Sequence, residues 1–109
     1  MLKKANRLSQ GKKLTDTKTL NTRFAVIKIS NGNDVDSKFG FIVSKKIDQR
    51  AVVRNKIKRR IRSAVEKLLP EIKTKREFLF ILKREAIDIK TEDFYKTLKT
   101  ILGKENLLK

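Results

Sequence analysis

The segment from Arg50 to Leu69 constrains this chain more than any other. Its apolar residues recur with helical periodicity, and Pro70 marks the end, because a proline has no N–H to continue the ladder and its ring clashes with the preceding turn. At roughly 100° per residue, Val53, Ala64, Ile57, Leu68 and Ile61 fall within an arc of about 80°, and Val65 and Leu69 extend that arc. Asn55, Lys56, Lys58, Arg59, Arg60 and Arg62 take most of the remaining circumference. The segment predicts a long helix with a core face and a cationic face.

A charged helix face is ordinarily a solvated one, with both signs interspersed so that i,i+4 pairs form. Here the first three turns carry no acid, and from Lys45 to Arg62 there are nine Lys or Arg and a single acid, Asp48. Like charges repel along such a face unless a polyanion neutralises them. Arg54 adds a second departure, because it projects inside the apolar arc near the helix start. A polyanion-binding helix is the expectation. The formal net charge of +17 and a pI near 10.5 extend it to the whole chain. Such a charge favours nucleic acid, an anionic membrane or an acidic protein as partner.

The other elements are simpler to place. Arg23 to Ser30 reads as a strand, with Phe24, Val26 and Lys28 on one face and Ala25, Ile27 and Ile29 on the other. One face is expected to cover the core and the other to floor a cleft. Asn31-Gly32-Asn33-Asp34 is a turn signal, and Phe39 to Val43 is the next strand, with Gly40 marking either a close backbone approach or, in the preferred reading, a bulge. These two strands are expected to pair as an antiparallel hairpin. After Pro70 comes a charged connector, then a third strand from Phe78 to Leu82. Strand, helix and strand in this order predict a parallel crossover, right-handed by default. Thr91 is expected to cap a last helix, Phe94, Leu98, Ile101 and Leu102 to form its core stripe, and Gly103 to end it. Residues 1–22 are basic and poorly patterned, and read as a loosely held arm with a short helical turn. The whole, residues 1–109, is expected to be one domain of α+β class.

Composition argues against hydrolysis by the chain's own side chains. It has no histidine, which removes the commonest general base, and no cysteine nucleophile. Two-metal nucleases need clustered carboxylates, and the twelve acids are scattered. Absence of cysteine also removes disulfides and thiolate metal sites. No apolar run is long enough to span a membrane, and Met1-Leu2-Lys3-Lys4 leads into polar residues rather than a signal-peptide core. A cytoplasmic protein is expected, with no membrane or DNA partner.

The order Ser44-Lys45-Lys46, then Ala51-Val52-Val53-Arg54-Asn55-Lys56-Ile57-Lys58-Arg59, then Ile61-Arg62 resembles the signature of the bacterial ribonuclease P protein component. That family carries a strand ending in SKK, a short loop and a helix opening Arg-Asn-Arg-x-Lys-Arg. The match covers about a third of the chain closely. Lys56 departs from it, keeping the charge of the second arginine but not its bidentate fork. The N-terminal region departs further: after Asn6-Arg7-Leu8, the interval to Phe24 is several residues shorter than in the family and holds no aromatic residue, with Leu14 where one is expected.

The resemblance implies a two-layer αβ sandwich of the ribosomal protein S5 domain 2-like type, with a left-handed βαβ crossover. It implies that a catalytic RNA using Mg2+ performs the cleavage, and that the protein supports removal of the 5′ leader of precursor tRNA without contributing a catalytic side chain. Carried over by position, Arg54, Asn55, Lys56, Lys58, Arg59 and Arg62 would contact the catalytic RNA, with Asn55 reaching a metal ion through water. Phe24, Val26, Ser44, Lys45, Lys46, Lys83 and Arg84 would contact the leader. The alternative reading is a structural RNA-binding protein of ribosomal type, which shares the charge and the fold but has no effect on precursor tRNA cleavage.

Overall fold

The structure, a computed structural model, describes residues 18–31, 37–72 and 76–108. The expected helical turn in the N-terminal arm and the Gly32–Asp34 part of the turn therefore lie outside the described residues.

Four strands and two helices follow in the order β1 (Lys18–Asn21), β2 (Ala25–Asn31), β3 (Lys38–Ile42), α1 (Ala51–Leu68), β4 (Arg76–Leu82) and α2 (Thr91–Lys104). The strands form one mixed sheet in the order β1-β2-β4-β3. Both helices pack on one face of it, which makes the two-layer α+β architecture. That face is built by Ala25, Ile27 and Ile29 of β2, Phe78, Phe80 and Leu82 of β4, and Phe39 of β3, all buried. Ile57, Ile61, Ala64, Val65 and Leu68 of α1 and Phe94, Leu98 and Leu102 of α2 close the core from the helix side. This is the stripe that the periodicity marks out, and its burial is the main stabilising contribution.

The expected β2–β3 hairpin does not form. Among the described residues, β2 pairs antiparallel with β1 and with β4, and β3 pairs only with β4, in parallel. The reason lies in β4. Its Phe-Leu-Phe-Ile-Leu run is apolar at every position, so it suits a central place with a strand on each side, its Phe78, Phe80 and Leu82 facing the helices. β3 carries Lys38, Gly40 and an exposed Ile42, and sits at the edge. The parallel β3-α1-β4 crossover is as expected. Gly40 opposes Leu79 in an unbroken register, so it is not a bulge.

The ends of the helices also differ from expectation. α1 passes at Leu69–Glu71 into a 3-10 turn with Pro70 near its start. Thr91 is the first residue of α2 rather than its cap, with Lys90 preceding it in an extended conformation. Gly103 lies inside α2. The left-handed position is taken by Asn106 at φ 57°, and the Leu107 N–H donates to the Leu102 carbonyl while the Asn106 N–H donates to the Gly103 carbonyl. This is the paired-bond C-terminal motif in which asparagine substitutes for glycine. A further 3-10 helix, Arg84–Asp88, which no periodicity announced, leads from β4 to α2.

Candidate nucleic-acid interface

α1 rests on the sheet through its buried stripe, and its two flanks then meet different surroundings. On one flank Arg60 reaches the Arg84–Asp88 segment and its Nη1 donates to the carbonyls of Ile87 and Ile89, each at 3.3 Å. On the other flank a surface pocket runs along the helix, lined by Asn55, Lys58, Arg59, Arg62, Ser63 and Glu66. The spacing i, i+3, i+4, i+7, i+8 and i+11 places these residues on one face. Lys56, Arg59 and Arg62 are exposed and Lys58 is half-buried. Lys56, Lys58 and Arg59 make no ion pair or hydrogen bond with any described residue. Arg62 lies over Phe41 of β3, its guanidinium carbon 5.9 Å from the ring centroid.

Arg54 behaves differently from its neighbours. Its Nη1 donates to the carbonyls of Asp48 at 3.0 Å and Gln49 at 2.8 Å. Its place inside the apolar arc is thus explained by the loop that it braces. The same loop, Ser44 to Arg50, is held at other points. The Lys46 N–H donates to Ser44 Oγ at 3.1 Å and the Ile47 N–H to the Ser44 carbonyl. Arg50 grips Asp48 with Nε, Nη2 and its backbone N–H at 2.8–3.1 Å. That grip, first through the side-chain hydrogen bonds, holds the Asp48 carboxyl down at about 2 and pushes the Arg50 guanidinium up. The only acid between Lys45 and Arg62 is therefore spent on Arg50 and is not paired with Lys56, Lys58 or Arg59.

The second predicted set is only partly brought together. Ser44, Lys45 and Lys46 follow β3, and Lys83 and Arg84 follow its parallel neighbour β4, so all five stand at one end of the sheet. Arg84 Nη2 donates to the Lys46 carbonyl at 3.4 Å. Lys83 Nζ donates to Asn21 Oδ1 and, at 2.8 Å, to the Thr22 carbonyl, tying that end to the β1–β2 turn. Val26 points from the sheet face opposite the helices, in one cross-strand row with Ile81 and Ile42.

Phe24 must be removed from this set. It is fully buried, edge-on to Phe94 with ring centroids 4.7 Å apart. It precedes β2 rather than belonging to it. Thr22 Oγ1 accepts from the N–H groups of Phe24 and Ala25 and donates to the Ala25 carbonyl. That turn breaks the alternation on which Phe24 had been grouped with Val26.

Sequence reasoning missed Ser63 and Glu66 on the pocket flank, although their spacing from Asn55 and Arg59 is the signal that would have found them. It also missed the tie made by Arg60, for which no local signal exists. Among the described residues no helix is long and apolar enough to cross a membrane.

Fold and charge together define a class: a basic α+β protein whose long helix keeps one cationic flank free beside a braced basic loop. Comparison with known proteins gives the family. The family profile described as Ribonuclease P matches residues 2–106. The ribonuclease P protein component of Microcystis aeruginosa is 42% identical over 72 residues, which cover 66% of this chain and 60% of that protein. The aligned stretch thus spans less than two thirds of that relative's length. The ribonuclease P protein component of Bacillus velezensis is 33% identical over 113 aligned positions, covering 99% of this chain and 96% of its own. Among solved structures, the Staphylococcus aureus RNase P protein superposes with a TM-score of 0.78 at 25% identity, covering 97% of this chain and all of that one. The chain belongs to the ribonuclease P protein family.

Proposed function

We propose that this chain acts in the cytoplasm as the protein subunit of ribonuclease P, binding the catalytic RNA along the pocket flank of α1 and the 5′ leader of precursor tRNA at the loop end and open face of the sheet. The observation that supports it most is that Lys56, Lys58 and Arg59, spaced along α1, have no ion-pair or hydrogen-bond partner among the described residues while nearby cations do. Cations left without protein partners on a folded surface are available to neutralise phosphates and release counterions. Asn55, set among them, offers a donor and an acceptor to a phosphate, a 2′-hydroxyl or a metal-bound water.

The two RNA surfaces lie on different layers. The catalytic RNA takes the helix layer. The leader takes Val26 on the far sheet face and the end built by Ser44, Lys45, Lys46, Lys83 and Arg84. The braced loop joins the two, so that binding one RNA fixes where the other is presented. The protein contributes positioning and charge neutralisation, which lower the cost of assembling the reacting groups. Among the described residues no three His, Cys, Asp or Glu side chains gather into a group that would hold a metal ion. In this reading Mg2+ is held by the RNA and supplies the hydrolytic chemistry there, and the side chains of this protein perform no proton transfer.

The test is cleavage of a precursor tRNA by a bacterial ribonuclease P RNA at low Mg2+, with and without this protein. Cleavage at the mature 5′ boundary that requires both components is expected. Tight RNA binding with no change in cleavage would favour a structural RNA-binding protein, and cutting by protein alone would make the chain a nuclease.

A further inference from the structure

We propose that Phe41 is a positioning residue of the α1 interface, acting through Arg62. The inference rests on the proposed binding of catalytic RNA to this flank and adds a residue outside it.

Among the described residues that line the pocket with a positive charge, Arg62 is the one that has a protein partner. Lys58 and Arg59 have no ion-pair, hydrogen-bond or ring partner among the described residues, whereas the Arg62 guanidinium carbon stands 5.9 Å from the centre of the Phe41 ring. Phe41 belongs to the edge strand, not to the helix. Its ring is itself held: it stacks on Phe80 with centroids 5.2 Å apart and planes inclined by 25°, and Phe80 is a fully enclosed core residue. A continuous contact therefore runs from the core through two aromatic rings to an exposed guanidinium.

The physical consequence is directional. An exposed arginine samples many rotamers, and ordering it against RNA costs conformational entropy. A ring within about 6 Å attracts the cation through its quadrupole and narrows that sampling before RNA arrives. With its carbon 5.9 Å from the ring centre, the guanidinium keeps its N–H fork available to RNA. Lysine has the same charge but no fork and makes the weaker contact with a ring. Phe41 thus lets the sheet edge decide where one cation of the helix stands, so that the interface is set by the packing of two elements rather than by α1 alone.

The experiment is a double-mutant cycle on affinity for an in vitro transcribed bacterial ribonuclease P RNA, measured across a salt series. Phe41→Leu is expected to weaken binding about threefold, the size of an exposed cation–π contact, with the salt slope unchanged because no charge is lost. On the Arg62→Ala background the same substitution is expected to have no further effect. Phe41→Tyr, which keeps the ring, is expected to retain wild-type affinity. Arg62→Lys serves as a second route that leaves the Phe41–Phe80 stack in place; it should lose about threefold at constant salt slope. The proposal is overturned if Phe41→Leu costs the same with and without Arg62, if it lowers only the melting temperature, or if Arg62→Lys binds as well as wild type. Failure of the wild-type protein to bind this RNA would overturn the functional reading along with it, whereas tight wild-type binding with additive variants overturns this inference alone.

Discussion

Arg59 and Arg60 are adjacent on α1 and chemically identical, yet they stand on different flanks of the helix. Arg60 turns toward the segment before α2 and donates to the carbonyls of Ile87 and Ile89. Arg59 turns the other way and lines the pocket with Asn55, Lys58 and Arg62. The same division runs through the other cations. Arg50, Arg54, Lys83 and Arg84 are engaged with the loop or the β1–β2 turn, and Lys56, Lys58 and Arg59 are not. A basic sequence therefore contains two populations. One donates to acceptors of the protein and braces the fold, and the other has no ion-pair or hydrogen-bond partner among the described residues. Count and spacing of charges cannot separate them; the partner of each guanidinium can.

The largest effect expected from this division is on the free flank. Replacing Lys58, Arg59 and Arg62 together with Ala should weaken binding of the catalytic RNA by on the order of a hundredfold at moderate salt and reduce the slope of log affinity against log salt by about two. The melting temperature should hold or rise, since like charges no longer repel. Affinity and slope close to wild type would mean that these cations are merely solvated.

Changing the tied population should do the opposite. Arg54→Ala removes the Nη1 that donates to both the Asp48 and the Gln49 carbonyls and should cost about 1 kcal/mol of stability, read as a lower urea midpoint. Its affinity for a precursor tRNA with a leader should fall more than its affinity for the catalytic RNA, because the loop it braces carries Lys45 and Lys46. A larger loss toward the catalytic RNA would return Arg54 to the contact set in which its motif position had placed it.

A smaller effect separates the Asp48–Arg50 grip from both populations. The Asp48 carboxyl is depressed in the folded protein from 3.8 to about 2. A group with a depressed folded value stabilises above its unfolded value and loses that contribution as pH falls through the folded one. Stability should therefore fall between about pH 4 and pH 2, and Asp48→Asn should flatten this part of the profile in acid melts. An unchanged profile would show that the grip contributes little.

What was legible in the sequence follows the same physics. The α1 core stripe was readable because helical periodicity and burial are the same fact seen twice, and Ile57, Ile61, Ala64, Val65 and Leu68 are all buried. β4 was readable as a strand from its apolar run. Its position between β2 and β3 was not, because strand order depends on which strand best suits neighbours on both sides, a comparison between segments rather than a property of one. β1 was invisible: Lys-Thr-Leu-Asn is too short for alternation to register, and only Leu20 is buried. Phe24 was misplaced because Thr22 turns the chain just before β2. The pocket flank was legible as charge, through the resemblance as a motif, and in part as geometry. The different role of Arg54 depends on a loop conformation that no local pattern encodes.

The most direct test of the division is to compare Arg59→Ala with Arg60→Ala, which remove the same charge one residue apart. Both should be measured for salt-dependent affinity toward the catalytic RNA and for thermal stability. Arg59→Ala is predicted to lower the salt slope by about 0.7, the value for one phosphate contact with a single strand, and to leave the melting temperature unchanged. Arg60→Ala is predicted to leave the slope unchanged and to lower the melting temperature by about 4 °C, as loss of about 1 kcal/mol would do in a chain of this size. Equal slopes and equal melting temperatures for the two variants would contradict the division into cations that hold the fold and cations that meet the RNA.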